Sequence, residues 1–171
     1  AVGRPVHLAG ICQGGWAAAI VASRRPAQVA SLLLIASAIA FKAGDAVLSE
    51  LVDAVPQSVY EAMVAWGGGV MRGDFLNAGF DALQGWERLV VGPLRTANRL
   101  DDEAHLEREA LLHRWYGARK DLPGPMYLSV VDDLFRHDRL ARGELRLDGD
   151  TAPVDLGAVI APLALVAGSK D

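Results

Sequence analysis

Gly10-Ile11-Cys12-Gln13-Gly14-Gly15 is the segment whose residue types and spacing point most directly to chemistry. A cysteine with glycines two positions to either side, between an apolar run and an alanine-rich one, has the G-x-S-x-G pattern of a nucleophile elbow, with cysteine in the serine position. Such an elbow holds its central residue in a strained backbone conformation, so Gly10 and Gly14 are expected to supply steric room. Gly15 is expected to ease packing where the following helix starts. The chemistry is acyl transfer, with the Cys12 thiolate attacking a carbonyl beside a helix N-terminus that favours negative charge. The Gln13 backbone N–H is one expected oxyanion donor, and the second is expected from a loop upstream of this sequence. A free cysteine at a tight turn also fits a plainer role as a small buried hydrophobe. A dinucleotide-binding loop does not fit: it needs glycine where Cys12 stands and an acidic residue ending the next strand. No G-K-[ST] follows, which excludes a phosphate loop as well.

Asp171 is the natural acid partner. Around an elbow of this kind the triad runs nucleophile, acid, histidine along the chain, and Asp171 comes just after an apolar strand. Its neighbours Ser169 and Lys170 have no evident part. His7 falls in the strand before Cys12 and reads as packed or hydrogen-bonded. His105, His113 and His137 fall in helical stretches, where a partly exposed structural role is the default. None follows Asp171, so the catalytic histidine is expected outside this chain, and this stretch alone is expected to be inactive.

The elements that must position these residues follow from hydrophobic patterning. Residues 5–11 read as a strand buried on both faces and residues 13–24 as a helix stopped by Arg25-Pro26. Residues 31–37 read as a second apolar strand. Strand, helix, strand implies a right-handed parallel crossover in an α/β sheet, and further strands are expected upstream. From about residue 40 to 150 the pattern turns mostly helical. Candidate helices cover 46–55, 57–66, 101–116 and 126–135, with a break at Gly67-Gly68-Gly69 and a turn over 121–125. Leu106, Ala110 and His113 are expected to share a face of the 101–116 helix. Residues 145–156 read as a short hairpin or extended excursion around Asp148-Gly149, and residues 163–167 as a last strand. The expected organisation is thus a sheet core from residues 1–39 and 157–171, with a helical cap insertion over about 40–150.

Composition narrows the class. The 171 residues, 51% hydrophobic and 22% charged, suit one folded domain with a sizeable core. A net charge of −4 gives no basic footprint and argues against nucleic acid. One cysteine forms no internal disulfide, and no C-x-x-C or H-E-x-x-H spacing suggests a metal. Residues 1–10 lack the charged and apolar regions of a signal peptide, and no apolar run is long enough for a transmembrane segment. A cytoplasmic setting is expected.

Taken together, the chain resembles the polyhydroxyalkanoate synthase family of the α/β-hydrolase superfamily. The elbow at Cys12 is similar to that family's lipase-like box with cysteine for serine. In family order follow Gly67-Gly68-Gly69-Val70-Met71-Arg72-Gly73, Trp115-Tyr116, Asp121-Leu122-Pro123-Gly124-Pro125-Met126 and Pro153-Val154-Asp155-Leu156. Residues 163–171 resemble the strand that delivers the catalytic aspartate. Gln13 and Trp16 depart from the pattern, standing where many synthases have a smaller aliphatic residue and threonine. The C-Q-G-G-W variant also looks like a branch in which synthases, depolymerases and plain α/β hydrolases lie close together. The resemblance implies a partial α/β-hydrolase fold, a mostly parallel sheet with a helical cap, and an acyltransferase that polymerises 3-hydroxyacyl-CoA through an acylated Cys12, releasing CoA. Asp171 would orient the absent histidine. No cofactor is implied beyond acyl-CoA as substrate. The implied partners are the growing polyester chain, a second copy in a homodimer and the polymer-granule surface. Trp66, Trp86 and Trp115 would contribute to the apolar inner face of the cap or, as the commoner use of such residues, pack in its core. Two alternatives stay open, a depolymerase or thioesterase using the same cysteine and a non-catalytic α/β-hydrolase-like module.

Overall fold

The computed structural model describes residues 3–43, 47–83, 92–118 and 120–168. Its contacts divide the chain into two compact units, Ala1–Val55 with Ser129–Asp171, and Pro56–Leu128.

The first unit is built on a parallel sheet. Strand β1 (Val6–Ile11) leads through Cys12 into helix α1 (Gln13–Arg24), and the chain returns through a short 3-10 turn to strand β2 (Val29–Ile35). The β-branched and leucine-rich runs make these strands, and the alanines between them make the crossover helix. Strand β5 (Leu163–Val166) completes a three-stranded sheet in the order β1-β2-β5, with both pairings parallel. The α/β character expected from the sequence is therefore present. Ala19 and Ala22 of α1 lie in the core with Val29, Leu32 and Leu34 of β2.

A second cluster gathers Phe41, Leu134, Leu140, Leu145 and Val154, with Trp16 of α1 packed against it. Trp16 meets Phe41 at 5.2 Å and Phe135 at 6.0 Å between ring centroids, both edge-on. Helix α2 (Val47–Ala54) belongs to this unit, its terminal carbonyls at Val52 and Val55 accepting from the Arg136 guanidinium.

The second unit is mostly helical: α3 (Gln57–Trp66), α4 (Gly73–Leu83), α5 (Gly92–Ala97) and α6 (Glu103–Gly117). Helix α3 ends where Gly68 and Gly69 take positive φ values of 72° and 93°, a conformation that costs glycine little. There Val70–Met71 (β3) pairs antiparallel with Leu122–Pro123 (β4), so part of the expected turn over 121–125 is a short ladder strand. Helix α7 (Gly124–Ser129) follows and continues as a π-helical segment, Val130–Arg136.

The structure refines the sequence reading at three places. The helix over 126–135 changes winding at Val130, which puts Val131 and Leu134 in the core while Asp132 and Asp133 both reach Arg139. Residues 145–156 take the second expected form, an extended excursion with its turn at Asp148-Gly149. Val154 and Leu145 are joined by one backbone bond of 2.7 Å, and Asp150 turns inward to accept from Leu147 N–H and pair with Arg24. In α6 the inward positions are His105, Leu106 and Glu109, whereas Ala110 and His113 face solvent. Asp102 caps this helix by accepting from the His105 N–H at 3.0 Å.

Candidate active site

The register of the sheet brings three strand ends together. Ile11 pairs with Ile35, and Ile35 pairs with Val166. Cys12, Ala36 and Ala167 therefore leave the sheet at the same end, the carboxyl end, where parallel α/β sheets bind ligands.

Cys12 sits at the apex between β1 and α1 with φ 52° and ψ −125°. Few non-glycine residues adopt this conformation, and holding one there costs about 1–3 kcal/mol. Two main-chain bonds enforce it: the Cys12 N–H donates to Ile35 O at 2.9 Å, and the Cys12 carbonyl accepts from Gly15 N–H at 2.9 Å. The side chain makes no capping hydrogen bond and is exposed, so the sulfur is open to solvent. No acidic residue lies in the first turn of α1 to oppose a thiolate.

The glycines around it divide by role. A Cβ on Gly10 would lie 2.5 Å from the Gly14 carbonyl oxygen and 2.5 Å from the Gly15 Cα. A Cβ on Gly15 would overlap the Ser37 side chain. At Gly14, which the spacing marked as required, a Cβ would meet nothing within 4 Å. The steric demand thus falls on Gly10 and Gly15. Gln13 is the first helical residue, where the N–H has no intrahelical acceptor.

The remaining expected residues are placed as follows. Asp171, Ser169, Lys170 and Trp86 lie outside the described residues. His7 Nδ1 shares a 2.7 Å hydrogen bond with Ser31 Oγ across β1 and β2. His105 is buried, contrary to the expected partial exposure, and its Nε2 has no protein partner. His113 is exposed, and His137 Nδ1 lies 2.9 Å from the Asp132 carbonyl oxygen. Trp66 and Trp115 are exposed. Among the described residues no group of three or more His, Cys, Asp or Glu could hold a metal ion, and no helix is long and apolar enough to cross a membrane.

Sequence reasoning passed over Ala36 and Ser37. Ala36 takes a left-handed φ of 46° at the end of β2, and Ser37 donates to Ile35 O at 3.0 Å. No glycine or turn dipeptide marks these positions; only their register with Cys12 does.

Fold and site together define an α/β protein with a strained, exposed cysteine at the carboxyl end of a parallel sheet. The chain belongs to the DUF3141 family, described as a protein of unknown function, whose model matches residues 1–171. It is similar to the poly(3-hydroxyalkanoate) polymerase subunit PhaC of Haloferax mediterranei, with 27% identity over 97% of this chain and 33% of that protein. The PhaC subunits of Haloarcula marismortui (25% identity, 97% of this chain, 34% of that protein) and Synechocystis sp. (26%, 97%, 44%) are similar too. The chain thus spans between a third and a half of the curated relatives it matches.

Proposed function

We propose that this chain is the elbow-bearing part of an acyltransferase of the polyhydroxyalkanoate synthase type, with an α/β-hydrolase fold, in which Cys12 carries the acyl group. The observation that carries the reading is the Cys12 backbone at φ 52° and ψ −125° with its thiol exposed. A protein keeps that strain where a nucleophile must project from a sharp strand-to-helix turn. Similarity to PhaC subunits over 97% of the chain supports a 3-hydroxyacyl-CoA donor and a polyester product.

In the proposed reaction the Cys12 thiolate attacks the thioester carbonyl, and the Gln13 N–H stabilises the oxyanion. The carbon–sulfur bond to CoA breaks, CoA leaves as its thiol after taking a proton, and the acyl group stays on Cys12. The 3-hydroxyl of a second acyl unit then attacks that thioester, forming an ester and returning the Cys12 thiol. Asp171 is proposed to orient a histidine outside this chain, which passes the protons. Exchange between two thioesters is nearly balanced, so the acyl group stays reactive. The helical middle, about residues 40–150, is proposed as the cap that excludes water from the acyl-enzyme. Acyl-CoA is substrate, with no further cofactor. A homodimer, a cytoplasmic setting and a polymer-granule surface are the associated proposals.

The test is incubation of the full-length protein with 3-hydroxybutyryl-CoA. Release of CoA with insoluble polymer supports the reading. Release of CoA with free acid alone would instead assign a hydrolase using the same cysteine. A Cys12→Ala variant that kept full activity would overturn both.

A further inference from the structure

We propose that Ser37 is a positioning residue for Cys12, holding both flanks of its strained turn: the strand end through the Ile35 carbonyl and the helix start through Gly15. The proposal rests on the reading of Cys12 as the acyl carrier and adds to it a residue that touches no reacting atom.

On the strand side, the Ile35 carbonyl oxygen accepts from two donors, the Cys12 N–H at 2.9 Å and the Ser37 hydroxyl at 3.0 Å. A carbonyl oxygen has two lone pairs, so these donors fill it. Between Ile35 and Ser37 lies Ala36, left-handed at φ 46°, its N–H donating to Val166 O at 2.7 Å. A serine hydroxyl that reaches back two residues is the kind of local bond that closes such a turn. The direction of the Ile35 carbonyl is therefore fixed by Ser37, and that carbonyl in turn holds the peptide plane entering Cys12.

On the helix side, the space where a Gly15 side chain would begin is filled by the Ser37 Oγ and Cβ. Gly15 is also the residue against which Gly10 packs. The first turn of α1 is thus wedged between β1 and Ser37, and this turn carries the Gln13 N–H. One small hydroxyl side chain thereby sets the backbone on either side of the nucleophile. Ser37 is only half-buried, so its hydroxyl could have bonded water instead of a carbonyl that already holds one donor.

The experiment follows alkylation of Cys12 by iodoacetamide, read by mass spectrometry of the Cys12 peptide, alongside steady-state kinetics of the full-length protein with 3-hydroxybutyryl-CoA. Ser37→Ala is expected to slow alkylation and lower kcat by about tenfold or more, with KM little changed, since small misplacements of a nucleophile act on the chemical step. If Ser37→Ala folds and alkylates at the wild-type rate, the proposal is overturned. A second pair of variants covers a failure to fold. Gly15→Ala is expected to disrupt the elbow, and Ser37→Gly in the same chain to restore folding by opening the space, yet leave alkylation slow because the hydroxyl is gone. A double variant that alkylates at the wild-type rate would overturn the proposal equally. If wild-type Cys12 alkylates but takes no acyl group from the CoA ester, the acyl-carrier reading fails, while the alkylation comparison still decides the role of Ser37.

Discussion

Gly10 and Gly15 are in backbone contact across the elbow: a Cβ on Gly10 would stand 2.5 Å from the Gly15 Cα. The end of β1 and the start of α1 cross so closely that the chain turns sharply at a single residue, Cys12. That crossing forces the cysteine into its strained conformation and holds its thiol clear of the sheet.

The glycines are therefore not equivalent to substitution. Gly10→Ala is expected to destabilise the protein by about 3 kcal/mol or more, because the methyl meets main chain that cannot give way. Gly14→Ala, with open space around its Cβ and a helical backbone, is expected to stabilise by about 0.5–1 kcal/mol. Urea unfolding of the two variants checks both, and a Gly14→Ala variant as damaged as Gly10→Ala would contradict the steric assignment.

Strain at Cys12 predicts opposed effects on stability and activity. Glycine tolerates φ 52° without the Cβ conflict, so Cys12→Gly recovers about 1–3 kcal/mol of strain, less about 0.5–1 kcal/mol of added backbone entropy. The variant is expected to be about 1 kcal/mol more stable than wild type and inactive. Denaturant midpoints measured with CoA-release assays test the pair of outcomes.

Asp138 ties the aromatic cluster behind the elbow. It is buried at φ 51°, and its carboxylate accepts from the Phe41 N–H at 2.8 Å. Asp138→Ala strips that buried N–H of its acceptor, expected to cost about 1–3 kcal/mol, and leaves alanine in a left-handed conformation. Asp138→Asn keeps an acceptor and tolerates the backbone, so it should stay near wild type. Near-ultraviolet circular dichroism, sensitive to Trp16 against Phe41 and Phe135, should change only for the alanine variant.

Tyr127 gives the second unit an alkaline limit. Burial, with Tyr60 adding to it, pushes its phenol up to about 12 from 10.0. A raised value means the folded state keeps a proton that the unfolded chain releases first, so the contribution is complete below pH 10 and is lost as pH rises toward 12. Stability of the wild type should fall more steeply across that window than that of Tyr127→Phe. Equal slopes in urea titrations at stepped pH would remove Tyr127 as the cause.

Much of this was legible in the sequence where the signal is local. Helices α1 and α3 run over Gln13–Arg24 and Gln57–Trp66, the bounds that patterning predicts, because Arg25-Pro26 stops α1 while Pro56 and Gly67 bracket α3. The elbow was legible for the same reason, since glycine spacing around Cys12 reports a backbone demand felt within a few positions. The inner face of α6 and the winding of Val130–Arg136 were not. They depend on what each segment packs against, and several rotations satisfy the same local pattern.

By itself, then, the sequence determined a cysteine elbow between a strand and a helix in an α/β chain. Only the tertiary structure decided that a side chain has room at Gly14 but none at Gly15, and that Ser37 stands against Gly15. Local preference acts through the torsions of neighbouring residues, whereas these two facts arise from close packing between segments that meet only once β2 lies beside β1.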